Sequence, residues 1–499
     1  MFFPGGLQAL ELNEDAALAG ETSSLAGAGN SAPTTPFTPK VLQVVKEVKK
    51  RRFLIATLPE LGHLNPVLHI GAELAQRGHD VKLASCAFVE PKVGKRCREL
   101  GIEFVALATD VQSPDTPGSK AAALKEISPL VLYTYYNGEM LRPLKEAVTE
   151  ARPHQILADF MTVSAFEAGD ACGVPVASNF ADPVFLNAIG ASPNPLLRLV
   201  LPLIGPIMFR QPPSSGAAIA RFGWQVCESF YTRLCIVNSF WGVQPITLMP
   251  PNVVLTGPMG PRTEGVLQET SMRELNSWIE WVRQKGLRVI YVTFGSMAVL
   301  TPAQVRAIYE GLAELPGIAV AWSLKEAAQA HLPGRPERFF VHHWFPQAEV
   351  LKLPEVVAVV THCGWGGMME ICMAGKPIVG VPFHGDQPFN AEMARVRGFA
   401  EVVPARRLSA AALREAMSQV LTTESYTESA QKVQAALLTS GGAWYAALHL
   451  EFSATYNCSH LVRPVPSLSG QLARVAGAGL LLAAACLAVA DHARRILRK

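Results

Sequence analysis

The chain is poor in cysteine for its length, with nine residues in 499 and no CxxC pair among them. An odd number scattered from Cys86 to Cys486 gives neither a disulfide framework nor a zinc site, so the cysteines read as reduced and mostly buried. Long Lys/Arg blocks are also missing: 44 basic and 41 acidic residues are well mixed, for a formal net charge of +3. Without a basic stripe there is no electrostatic footprint for a phosphate backbone, which argues against nucleic acid as a partner. No DxD acidic pair is present to hold a metal-bound diphosphate, and no metal ligand is expected. The first forty residues carry Gly, Ser, Thr, Pro and early acids (Glu11, Glu14, Asp15). They lack the basic start and apolar stretch of a secretory signal and read as a disordered tail.

What is present is apolar content, 49% of residues, on a chain longer than one core usually supports. Two globular domains are the expectation. After the basic run Lys49 to Arg52, Phe53 to Leu58 reads as a buried strand. Pro66 to Arg77 then has apolar residues at helical spacing, and Asp80 to Ser85 is a second strand. The alternation recurs at Ile156 to Ala158, Val174 to Ser178 and Cys235 to Asn238, the rhythm of a parallel α/β sheet. A stretch dense in Pro and Gly (Gly257, Pro258, Gly260, Pro261, Gly265) reads as a linker. Strands then restart at Val289 to Thr293, Ala319 to Trp322, Phe339 to His342 and Val356 to Thr361. The fold class expected is α/β, two tandem Rossmann-like doubly wound domains, with ligands in the cleft beyond the strand C-termini. The division runs 1–50 for the tail, 51–255 for a first domain and 256–270 for the linker. A second domain follows at 271–425, then a helical return at 426–470 and the terminal segment at 471–499.

The most informative segment is Trp344 to Gln387, WFPQAEVLKLPEVVAVVTHCGWGGMMEICMAGKPIVGVPFHGDQ. It has the features of a diphosphate site on a strand-loop-helix unit. The strand ends at His362, and Gly364, Gly366 and Gly367 read as a loop before a helix beginning near Met368. Glycines there let backbone N–H groups approach phosphate oxygens, and the helix dipole favours their charge. His362 can donate to the same diphosphate. Glu370, one turn on, can accept from a ribose diol, and Trp344 offers a flat face to a base. Asp386 and Gln387, after the strand Ile378 to Val381, stand where sugar hydroxyls can be held.

This segment resembles the signature box of the family 1 UDP-glycosyltransferases, including its 44-residue span from WxPQ through HCGW to DQ. The resemblance implies a GT-B fold and a UDP-sugar donor. It also implies that Trp344 stacks on uracil, Gln347 contacts the nucleoside, His362 binds diphosphate, Glu370 holds ribose, and Asp386 and Gln387 hold the donor sugar. Phe345, Gly364 and Trp365 belong to the same box, and Ser296 in FGSM resembles the family's additional phosphate contact. Many plant members carry Asn and Ser after HCGW, where Gly366 and Gly367 stand here, so two side-chain contacts are missing. The likeness covers most of Phe53 to Ala400 and is strongest in the second domain.

Inverting glycosyl transfer needs a base opposite the phosphate site. His63, in ELGHLNP after the first strand, is the candidate, and the resemblance assigns it that role with Asp159 as its orienting partner. The bland alternative makes both residues helix caps. The resemblance leans towards UDP-glucose, and the apolar, Pro-rich Pro183 to Met208 could line a pocket for a small lipophilic acceptor such as a sterol, lipid or phenolic compound. Val475 to Ala490 carries no charge and precedes a basic tail, resembling the membrane anchor of animal members. Its sixteen residues give about 24 Å of helix against a bilayer core of about 30 Å. Membrane association, at the endoplasmic reticulum by resemblance, is the expectation, with a cytoplasmic protein as the alternative. Two rival functions remain, a nucleotide-sugar epimerase and a noncatalytic UDP-sugar-binding subunit.

Overall fold

The computed structural model describes residues 49–127, 129–181, 232–243, 249–260, 269–295 and 298–461. Most of the tail, Ser296, Pro183 to Met208, the end of the Pro/Gly-rich stretch and Val475 to Ala490 lie outside them. Among the described residues, no helix is long and apolar enough to cross a membrane.

Two all-parallel sheets are built from short runs of buried β-branched and aliphatic residues, as expected of strands covered on both faces. The first holds β1 (Arg52–Ala56), β2 (Asp80–Cys86), β3 (Glu103–Leu107), β4 (Gln155–Asp159), β5 (Val176–Phe180), β6 (Cys235–Val237) and β7 (Val253–Leu255), in the order β3-β2-β1-β4-β5-β6-β7. The second holds β8 (Arg288–Thr293), β9 (Ile318–Ser323), β10 (Phe339–His342), β11 (Val356–Thr361), β12 (Ile378–Gly380) and β13 (Ala400–Val402), in the order β10-β9-β8-β11-β12-β13. Each order reverses once, between β1 and β4 and between β8 and β11. Those reversals are the switch points where a doubly wound sheet opens a crevice at its strand C-termini.

Two helices start earlier than the sequence predicts. The first spans Leu61–Gln76, so His63 is its third residue and Pro66 lies inside it. Proline there removes the donor that would reach the Gly62 carbonyl, so the helix gives up one intrahelical bond. The helix of the signature box spans Trp365–Ala374 with Gly364 at its N-cap, which places Gly366 and Gly367 in its first turn and not in a loop. Their amide groups remain among the four donors that a helix start leaves without intrahelical partners.

The chain returns to the first lobe near its end. Helix Glu424–Leu438 contributes Ala430, Val433 and Leu437 to the second lobe's core. Gly442, at φ 56°, donates its N–H to the Thr256 carbonyl at 2.6 Å. Helix Gly442–Tyr456 then buries Ala446, Ala447 and Leu450 among first-lobe residues including Leu64 and Leu68. Glu451, 3% exposed, fastens it there by accepting from Arg77 Nε at 2.6 Å, Arg77 Nη2 at 2.5 Å and His79 Nε2 at 2.7 Å. His79 Nδ1 accepts from the Arg51 N–H at 3.2 Å, which leaves the ring proton on Nε2 for Glu451. Burial alone would raise the Glu451 carboxyl, but the bonds from His79 and Arg77 hold it below its ordinary value.

Candidate active site

At the first switch point, His63 and Asp159 meet although 96 residues apart: Nδ1 lies 3.0 Å from Asp159 Oδ1. Asp159 ends β4 and is fully buried. Its second oxygen accepts from the Met161 N–H and the Thr162 hydroxyl, each at 3.2 Å. Those two bonds fix the carboxylate plane, and a carboxylate only accepts, so the imidazole proton sits on Nδ1 and the basic lone pair on Nε2. Tyr133 meets the ring edge-on at 5.3 Å between centroids and Phe160 lies 5.7 Å away, so the imidazole has little freedom to turn. Neither residue is a helix cap, since His63 is inside its helix and Asp159 lies four positions before Val163, where the next helix starts.

At the second switch point, His362 follows β11 and sits against two glycines. A Cβ on Gly364 would come within 2.5 Å of its Nε2, and one on Gly295, at φ 63°, within 2.8 Å of its Cε1. Both positions must therefore be glycine for the ring edge carrying Nε2 to stay uncovered. Nδ1 is buried with no hydrogen-bond partner among the described residues. Burial first, and then nearby His384, pull the His362 imidazole down to about 4, against an opposing pull from the Thr293 backbone. It is a neutral ring at neutral pH. Between His362 and the helix start, Cys363 adopts φ 65°, a strained value for a non-glycine residue, and turns its sulfur inwards towards Gly380.

The remaining residues of the signature box are largely tied to one another. Gln347 Nε2 donates to Glu370 Oε2 at 2.5 Å, and Tyr291 donates to Gln347 Oε1 at 3.5 Å. Burial raises the Glu370 carboxyl and Gln347 opposes the rise. Trp344 is half exposed, with its carbonyl 2.7 Å from His342 Nδ1. Phe345 is buried edge-on against Tyr291 and belongs to the core. Asp386 Oδ2 accepts from the Trp365 N–H at 3.3 Å and from Asn390 Nδ2 at 2.6 Å, and burial raises its carboxyl. Gln387 turns its carbonyl back onto the N–H groups of Phe383 and His384, at 2.9 and 3.3 Å. The Trp365 side chain is buried, and its Nε1 donates to the Asn238 carbonyl in the first lobe at 2.8 Å. The supporting residues Asn390, Asn238 and Asn179 had no signal in the sequence, because their roles depend on contacts across the fold.

Residues 194–436 match the family model described as UDP-glucoronosyl and UDP-glucosyl transferase. Anthocyanidin 3-O-glucosyltransferase UFGT of Vitis vinifera is 37% identical over 153 residues, 30% of this chain and 31% of that protein. The matched segment thus spans about a third of that relative's length. UDP-glycosyltransferase 76E6 of Arabidopsis thaliana is 23% identical over 387 residues, 69% of this chain and 84% of that protein. The crystal structure of UDP-glucose: anthocyanidin 3-O-glucosyltransferase in complex with UDP superposes with a TM-score of 0.61 at 19% identity, over 82% of this chain and 99% of that one. The structural likeness carries the fold, two parallel-sheet lobes of GT-B type. The family match covers just under half of the chain, and with the relatives beside it the chain is similar to the family 1 UDP-glycosyltransferases.

Proposed function

We propose that the protein transfers a hexose, glucose favoured, from a UDP-sugar to a hydroxyl of a small lipophilic acceptor, with inversion at the anomeric carbon. The acceptor O–H gives its proton to His63 Nε2 while its oxygen bonds to that carbon. The bond from carbon to diphosphate breaks, and its electron pair leaves on UDP. Asp159 stabilises the imidazolium as it forms. Charge growing on the departing diphosphate meets the free N–H groups of helix Trp365–Ala374 and a neutral hydrogen-bond donor, His362. These groups supply the stabilisation that a metal gives in other transferases, so turnover without a divalent ion is part of the proposal. Gln347 and Glu370 would take the nucleoside and ribose, and Asp386 and Gln387 the sugar.

The observation that supports this reading best is the 3.0 Å contact between His63 and the fully buried Asp159. An epimerase or a binding subunit needs no base on that side. The test is UDP release from UDP-sugars offered with mixed lipophilic acceptors in EDTA, for the wild type and His63→Ala. Acceptor-dependent release lost in the variant is expected. UDP-sugar binding without turnover under every condition would instead favour the binding subunit. Membrane attachment through 475–490 is proposed on its apolar run alone. Alkaline carbonate should leave the full chain with the membrane fraction and release a chain ending at Arg474.

A further inference from the structure

Residues 238–243 leave the first sheet at the end of β6 and enter the second lobe. Phe240 and Val243, 4% and 1% exposed, pack within that lobe's core. Asn238, at the start of this segment, is bonded in both directions. Asn179 Nδ2 donates to Asn238 Oδ1 at 2.7 Å, and Asn238 Nδ2 returns a bond to Asn179 Oδ1 at 3.3 Å. The Asn238 carbonyl accepts the indole N–H of Trp365.

Each end of this chain reaches a group the proposed reaction uses. Asn179 stands level with Asp159 across β4 and β5, and its carbonyl accepts the Phe160 N–H at 2.9 Å, next to the dyad. At the other end, the Trp365 N–H reaches Asp386 Oδ2. Asn179, Asn238 and Trp365 are 0%, 3% and 5% exposed, so water does not compete for these bonds. A buried amide pair is a costly way to fill a core, because an apolar pair of the same shape would serve stability nearly as well. Its directional bonds give fixed geometry.

We propose that Asn179, Asn238 and Trp365 are positioning residues, forming an interlobe strut that holds the strand ends bearing the His63–Asp159 pair in register with the Asp386 loop. The strut sets the line of approach of the acceptor oxygen to the anomeric carbon. This rests on the transferase reading above. Misplacing reacting groups by about 1 Å costs on the order of a hundredfold in rate, so a partial loosening is expected to cost about tenfold.

Trp365→Phe removes the indole N–H and keeps an aromatic ring in place. Asn179→Ala cuts the same chain at the other end, should the first variant fold poorly. Arg397→Met is the control, because it removes a different bond to the crossing segment, from Arg397 Nε to the Val243 carbonyl at 3.4 Å. Trp365→Phe should lower the kcat of transfer about tenfold and leave KM for UDP-glucose within about twofold. It should raise the share of UDP released without glycoside and leave the pH profile unmoved. The double variant should be no slower than the slower single, and the control should stay within about twofold of wild type. Amide hydrogen exchange at 238–243 and 365–370 should rise together in Trp365→Phe, a readout that needs no turnover.

Wild-type partition between transfer and hydrolysis in both variants would overturn the strut. So would multiplying losses in the double variant, or faster exchange in one segment alone. A wild type that releases no UDP, yet whose variants show the paired rise in exchange, would sink the transferase reading and keep the strut.

Discussion

The two switch points carry the same side chain in opposed surroundings. His63 is held by a buried carboxylate and two aromatic rings. His362 lies against glycines with no carboxylate bonded to it among the described residues, its imidazole pulled down to about 4 by burial. The first arrangement stabilises a ring that gains a proton, and the second keeps a ring neutral so that it can only donate or accept a hydrogen bond. On the proposed reading, the crevice at a sheet reversal is used twice, once for a base and once for an electrophilic partner. The difference lies in what each ring is packed against.

The largest test of this contrast is Asp159→Asn, which keeps the shape but lets the amide impose the wrong tautomer on His63. kcat should fall by roughly 10⁴-fold with UDP affinity unchanged, as steady-state rates and calorimetry would show. His362→Ala should cost roughly 10²- to 10³-fold in kcat and weaken UDP binding as well, the opposite split between rate and affinity. Equal behaviour of the two variants would erase the proposed division of labour.

Stability offers a third probe. The folded His362 pKa is depressed, so the unfolded chain binds the extra proton first on acidification. The contribution is complete above the ordinary histidine value near 6.5 and is lost as pH falls towards about 4. His362 should account for about 3 kcal/mol of lost stability across that window, and denaturant titrations of His362→Gln should show a shallower acid slope. The smallest effect is expected at Gly366, where a Cβ would meet open space inside the first helical turn. Gly366→Ala should stabilise the fold by up to about 1 kcal/mol in thermal unfolding.

Much of this architecture is legible in the sequence because the parallel strands are continuous apolar runs, and β10 and β11 coincide with their predicted bounds. The proposed donor segment was readable for a further reason: its candidate residues lie within one stretch of chain, from Trp344 to Gln387. His63 and Asp159 were legible as candidates following predicted strands, whereas their contact spans two sequence segments and could not be read. Helix starts were misplaced where local residues mislead. Pro66 reads as a first-turn proline but sits further inside its helix, and the paired glycines 366 and 367 read as loop but are helical. Trp365 and Phe345 belong to a motif read as contacting ligand, yet their side chains are buried, the indole serving as an interlobe donor. Burial of that kind depends on the opposing lobe, which no local pattern encodes.

The contrast between the two imidazoles is tested most directly by nitrogen NMR of histidine-labelled protein across pH, with His63→Gln and His362→Gln used for assignment. The account predicts that neutral His63 carries its proton on Nδ1 and that His362 stays neutral until pH approaches about 4. A His362 ring that protonates near 6.5, or a neutral His63 with its proton on Nε2, would contradict it.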